Sequence, residues 1–322
     1  MGLKKFLINW LHHDQNIRRE LGKLRSQVIL SQTSAIEAIK INTIIRKIDY
    51  LREKTLCSKE VGVSSDKYCS EEIIVSLTSH GERIYDVYLA IESIMQGSIK
   101  PNRILLWLSE DEFGQALLPQ TLLLQKERGL EIRFGKDIKS FMKLVPTLAE
   151  YPNACIVTID DDAIYEFDLL ERLVHAHIKS PEAICACRVH KIKLKENGQP
   201  VSYLDWEQCV DSCDSSPFCF PTGVGGTLYP AHCLSQEVFN ESVFMSLCPF
   251  ADDVWFYAMG VINNTPFLKV KTPKPRGYYY ELPAAFTNAL FIKNEDSEEC
   301  RNDKQIEAVF NKYRIPDILR RP

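Results

Sequence analysis

The sequence predicts an α/β fold with a largely parallel central sheet, preceded by a long N-terminal helix. Three observations point there. Apolar, β-branched runs alternate with amphipathic helical stretches from Ile73 onward, the pattern of βαβ units. One such run, Ala154 to Ile159, ends abruptly in three consecutive carboxylates, Asp160, Asp161 and Asp162. Ahead of all this, residues 3 to about 54 contain no proline and carry a narrow apolar stripe.

Composition sets the outer bounds. The chain has 322 residues, 45% hydrophobic and 25% charged, enough for a sizeable core. The net charge of −4 is uneven, because residues 1–54 hold eleven Lys/Arg against five Asp/Glu. An acidic body argues against nucleic acid as a partner, and a basic arm points to an anionic surface. None of the eleven cysteines falls in a C-x-x-C pair. That spacing argues against a structural zinc site and for reduced thiols in a cytoplasmic protein. No apolar run approaches the length of a membrane span, and the first residues do not read as a cleaved signal.

Taken in order, Leu3, Phe6, Leu7, Trp10 and Leu11 share one face beside Lys4 and Lys5, as in a helix lying on an anionic membrane. Ile17, Leu21, Leu24 and Val28 follow 4-3-4 spacing, and Ile41, Ile44, Ile48 and Leu51 follow 3-4-3. That stripe predicts a short coiled coil joining copies of the chain through residues 1–54, or a helix packed on its own domain. The divisions expected are a helical segment over 1–56, a linker over 57–70 and a catalytic domain over 71–322.

Within that domain, strands are expected at Ile73–Thr78, Arg103–Leu108, Leu130–Phe134, Ala154–Ile159 and Ala183–His190. Helices are expected from Ile84 to Ile94, from Leu117 to Arg128, after Asp137, from Asp168 to Lys179, after Asp252, and from Gln305 to Tyr313. Residues 195–222 have no clear period, and their length suggests a functional loop over the site or a poorly ordered excursion.

The chemistry gathers in three places. Asp160 and Asp162 leave a buried strand at its carboxyl end, where open α/β sheets bind ligands. Hard oxygen donors there suit Mg2+ or Mn2+, although an acidic helix-capping turn is the bland alternative. The run Pro221 to Pro230 holds Gly223, Gly225 and Gly226, which let backbone approach a ligand or simply make a tight turn. Asp252 and Asp253 open an apolar helical run, either as dipole-compensating acids or as a general base on a hydroxyl.

In that order, with the opening strand and loop Ser76 to Arg83, with Asp137 and Lys143, and with Ala251 to Trp255, the chain resembles the nucleotide-sugar-dependent glycosyltransferases of GT-A fold. The likeness is greatest to bacterial enzymes of capsular, exopolysaccharide or lipopolysaccharide synthesis. It spans roughly residues 72–270. It implies a Rossmann-like mixed, mainly parallel sheet and a D-x-D pair, Asp160 and Asp162, that holds Mn2+ or Mg2+ against a diphosphate. It further implies donor contacts from Thr78, Arg83, Asp137, Lys143, Asp161, Gly225 and Gly226, and an inverting base at Asp253 or Asp252. The donor implied is a nucleotide sugar, with UDP favoured, and the acceptor a glycan or lipid-linked glycan. The cysteines and the absence of a signal predict a cytoplasmic location, and the basic, amphipathic start allows a peripheral one on the inner face of the membrane. One departure stands out: many such folds supply a late histidine to the metal, and no histidine follows His232. The rival readings are another metal-dependent phosphate-processing enzyme and a non-enzymatic assembly protein that keeps the fold.

Overall fold

The computed structural model of the chain describes residues 35–213, 215–274, 278–282 and 301–320. The expected membrane-surface helix at residues 1–11 and the first half of the apolar stripe lie outside the described residues.

The chain enters through helix α1 (Ala35–Cys57) and an irregular connector, then strand β1 (Ile73–Thr78). Next come α2 (Val87–Met95), β2 (Arg103–Ser109), the short α3 (Glu110–Phe113), α4 (Gln120–Lys126) and β3 (Leu130–Gly135). A 3-10 turn at Lys139–Lys143 and α5 (Val145–Glu150) lead to β4 (Cys155–Thr158), β5 (Ala163–Tyr165) and α6 (Leu169–Lys179). Then follow β6 (Ile184–Ala186), β7 (Val189–Lys191), β8 (Cys219–Pro221), β9 (Thr227–Tyr229), α7 (Glu241–Leu247) and α8 (Asp252–Ile262). The last elements are β10 (Phe267–Lys269), β11 (Tyr279–Glu281), α9 (Arg301–Tyr313) and α10 (Ile315–Leu319).

Seven strands form one sheet in the order β10-β6-β9-β4-β1-β2-β3. Every pairing is parallel except the two made by β9, which runs antiparallel to both β4 and β6. The expected mixed, mainly parallel α/β architecture is therefore the one observed.

The alternation of side chains explains why these runs are apolar on both faces. In β1, Ile74 faces one core layer while Ile73, Val75 and Leu77 face the other. β2 divides the same way, with Leu105 and Trp107 on one side and Ile104, Leu106 and Leu108 on the other. The first layer is closed by α7, α8, α9 and α10, the second by α1, α2, α4 and α6.

Three expectations are corrected. Ile48 and Leu51 of α1 are buried in the second core layer, with Ile44 packed against it, so this part of the stripe is covered by the chain's own body. Burying two such side chains is worth roughly 1.5–3 kcal/mol each, and an ion pair from Lys47 to Glu166 (2.8 Å) adds a tether. The single strand expected over Ala183–His190 is two strands of different sheets, β6 and β7, separated at Cys187 and Arg188. Cys213 and Cys219 form a disulfide within the 195–222 region, where all cysteines were expected reduced. Among the described residues no helix is long and apolar enough to cross a membrane.

Candidate functional site

The register of the sheet decides what meets at its carboxyl edge. Thr158 of β4 and Ala186 of β6 both pair with Thr227 of β9, so these strand ends are level. Asp160 lies two residues beyond β4, and Arg188 lies two beyond β6. β1 ends beside them, because Ser76 pairs with Thr158, and Ser79 follows directly. β9 runs the other way, so the glycine loop of residues 223–226 that precedes it reaches the same edge.

Each acid then finds a distinct partner. Asp160 Oδ1 accepts from Lys143 Nζ at 2.9 Å. The same ammonium pairs with Asp252 Oδ2 at 2.9 Å, joining the end of β4 to the start of α8. Asp161 turns toward β1, where Ser79 Oγ donates to Oδ2 (2.6 Å) and Arg83 donates to Oδ1 (2.9 Å). Arg83 also pairs with Asp162 Oδ2 at 3.0 Å. Asp253 Oδ1 accepts the Gly223 N–H at 3.0 Å.

The electrostatics follow from this geometry. Five carboxylates face two ion-paired cations, Lys143 and Arg83. Burial alone would lower the Lys143 ammonium, but Asp160, Asp252 and Asp253 hold it well above its ordinary value. Burial, and then the neighbouring Asp160 and Asp161, push the Asp162 carboxyl up to about 7 against the pull of Arg83. Burial, and then Asp252, push Asp253 up to about 7 despite Lys143 and the Gly223 N–H. The cluster is short of positive charge.

An all-oxygen, over-acidic pair fits a hard divalent cation. Asp160 and Asp162 would hold it, since each commits one oxygen to a protein cation and has a second. Asp161 is tied on both oxygens and serves to fix the Arg83 loop.

The remaining expected residues are placed less directly. Thr78 Oγ1 donates to the Trp107 carbonyl at 2.9 Å, securing β1 to β2 at the edge of the site. Asp137 is exposed, and its Oδ1 caps the Lys139 N–H at 2.7 Å, shaping the turn that delivers Lys143. A Cβ on Gly225 would sit 2.6 Å from Arg188 Cβ, and Gly226, at φ +87°, backs onto Leu169. Their lack of side chain thus serves packing. Gly223 is the glycine that meets the charges, where a Cβ would lie 2.8 Å from Lys143 Nζ and 3.0 Å from Asp253 Oδ1.

Three further residues belong here that sequence reasoning missed. The Tyr165 hydroxyl accepts the Asp160 N–H (2.8 Å) and donates to the Val224 carbonyl (3.1 Å), linking the acidic turn to the glycine loop. Ser79 orients Asp161. Arg188 has no carboxylate within ion-pair distance among the described residues, donates to Cys209 Sγ at 3.3 Å, and is held above its ordinary value by nearby Tyr279 and Cys209 despite burial. A cation two residues past a three-residue strand has no local signature. Gly223 and Tyr165 stood within the quoted runs but without partners to single them out.

No known protein family matches the sequence, and no curated protein matches it. Among solved structures, CMP:2-keto-3-deoxy-manno-octonic acid synthetase complexed with CTP aligns with 70% of this chain and 99% of its own, at 10% identity and a TM-score of 0.39. A likeness that slight says nothing of what this chain binds.

Proposed function

We propose that the chain is an inverting glycosyltransferase that uses a nucleotide-diphosphate sugar and a divalent cation. The observation that supports this most is the division of the acidic cluster by Lys143. Asp160 and Asp162 lie on one side as a metal-type pair, and Asp253 lies on the other, partly exposed. Mn2+ or Mg2+ on the first pair would supply Lewis-acid stabilisation of the departing diphosphate.

The protein's own groups do the rest. Asp252 is ion-paired with Lys143, whereas Asp253 holds only the Gly223 N–H, so Asp253 is the carboxylate of the two that is not ion-paired. With its carboxyl raised to about 7, it is suited to accept a proton from an acceptor hydroxyl near neutral pH. The Gly223 N–H fixes its orientation. Arg188, with no acid partner among the described residues, is the cation available to diphosphate oxygens, whereas Arg83 is occupied by Asp161 and Asp162. Lys143 is a positioning residue that keeps the two halves of the site in register. The acceptor in this reading is a hydroxyl of a glycan or lipid-linked glycan.

A thermal-shift panel of nucleotide sugars, with and without Mn2+, tests the reading. One donor at 100 times its dissociation constant stabilises the fold by about 2.7 kcal/mol. That shift should require Mn2+ and vanish in Asp160→Asn/Asp162→Asn. Absence of a shift from every donor, or a shift that survives in the double variant, would sink it.

A further inference from the structure

At the opposite end of β4 from Asp160, four potential ligands from three distant segments converge. Cys69 and Glu71 lie in the connector between α1 and β1, Cys155 opens β4, and His177 is in the last turn of α6. Their ligand atoms all lie within 4.8 Å of one another. Cys155 Sγ is 3.3 Å from His177 Nε2, and His177 Nε2 is 3.6 Å from Glu71 Oε2. With zinc–sulfur bonds of about 2.3 Å and zinc–nitrogen or zinc–oxygen bonds of about 2.0–2.2 Å, the edges of a tetrahedral site are about 3.3–3.8 Å. The Cys155–His177 and His177–Glu71 separations fall on that scale, and the bound of 4.8 Å on the whole set is about an ångström wider.

We propose that Cys69, Glu71, Cys155 and His177 form a closed, tetrahedral zinc site that fastens the connector to the sheet. The donor set selects the metal: two thiolates, an imidazole and one carboxylate suit zinc, whereas an all-oxygen set suits Mg2+ or Mn2+. Cys155 and His177 are buried, while Cys69 and Glu71 are half-buried, which leaves an entry path through the connector. Ser70 Oγ donates to Glu71 Oε2 at 2.7 Å, an outer hydrogen bond of the kind that orients a ligating carboxylate. The polar contacts of His177 run through Nε2 to Cys155 and Glu71, while Nδ1 is buried without a hydrogen-bond partner among the described residues. All four positions are filled by protein, so the role is structural. Five residues of extended chain, roughly 16 Å, separate it from Asp160.

The full chain, purified without chelator, should contain one zinc ion that survives dialysis against magnesium. Titrating zinc-free protein with Co2+ should give intense tetrahedral d–d bands and a thiolate-to-cobalt charge-transfer band, both abolished by Zn2+. Asp160→Asn/Asp162→Asn should keep these bands. Cys69→Ser and His177→Gln should lose them, with zinc affinity falling by more than the roughly 10–100-fold that outer-shell partners are worth. If a variant misfolds, the wild-type cobalt spectrum still decides. A spectrum of oxygen ligation alone, zinc-free protein that does not take up Zn2+, or a Cys69–Cys155 disulfide in peptide mapping would overturn the site.

Discussion

The Glu92 carboxylate in α2 is fully buried and those at the end of β4 and the start of α8 are buried or partly buried, and the two groups are neutralised differently. Glu92 is fully buried and meets Arg128 in a two-pronged pair, NH1 to Oε2 and NH2 to Oε1, each at 2.9 Å. Gln125, Gln96 and Thr55 donate to its remaining lone pairs, and Arg128 spends its other donors on the carbonyls of Glu60 and Lys54. One negative charge meets one positive charge, with the hydrogen bonds completed. Around Asp160 the structure places five carboxylates against Lys143 and Arg83, and two of those carboxyls are raised to about 7. A balanced pair between helices is structural. A surplus of like charge at strand ends is instead left short of positive charge, which is what the proposed function builds on.

Substitutions should separate the two clusters. The largest effect expected is on turnover: Asp253→Asn keeps an oxygen for the Gly223 N–H but cannot accept a proton, and should lower kcat by about 10²–10⁴-fold with the unfolding midpoint unchanged. A steady-state assay beside a thermal melt reads both quantities. Next comes Glu92→Leu, which strands Arg128 in the interior and should cost about 3–5 kcal/mol in urea unfolding. Adding Arg128→Met should recover much of that loss. If Glu92→Leu instead spared stability and abolished activity, the contrast drawn here would collapse.

The smallest effect is the pH profile. Asp253 is an effective base only when deprotonated, so kcat/KM should rise with pH through about 7. Because Asp252 is the neighbouring charge that raises Asp253 most, Asp252→Asn should move this acid limb to lower pH. A limb that stays in place would remove Asp253 from the base role.

The parallel half of the fold was legible in the sequence because its strands are buried on both faces. Ile73 to Thr78 and Arg103 to Leu108 can hardly be anything else. The acidic strand end and Asp252–Asp253 were legible too, as local runs with their own physical logic. What was hidden depends on register between distant segments. Nothing near Arg188 shows that β6 stops level with β4. Nothing in cysteine spacing shows that pairing Ile73 with Cys155 brings Glu71 and Cys69 to the foot of β4. The turn at Lys139–Lys143 was read as regular helix because its composition is helical. It is a 3-10 turn with Lys139 at φ +58°, and it ends at Lys143, whose ammonium is ion-paired with Asp160 and Asp252.

The reversed strand β9 also has a consequence for the order of folding. β1, β2 and β3 are neighbours both in the sheet and along the chain, and β4 crosses back over them to pair with β1, so these four can pair before the later strands are made. β6 cannot, because the strand that must sit between it and β4 is synthesised later, beyond the Cys213–Cys219 loop. β10 in turn waits for β6. By strand order alone, the β6–β9–β10 half would join β1–β4 later, bringing Arg188, Gly223 and Asp253 with it. In that order of pairing, the acids after Thr158 would meet Gly223 and Asp253 only when the later half of the sheet is in place, so the proposed site would be the last part of the fold to close.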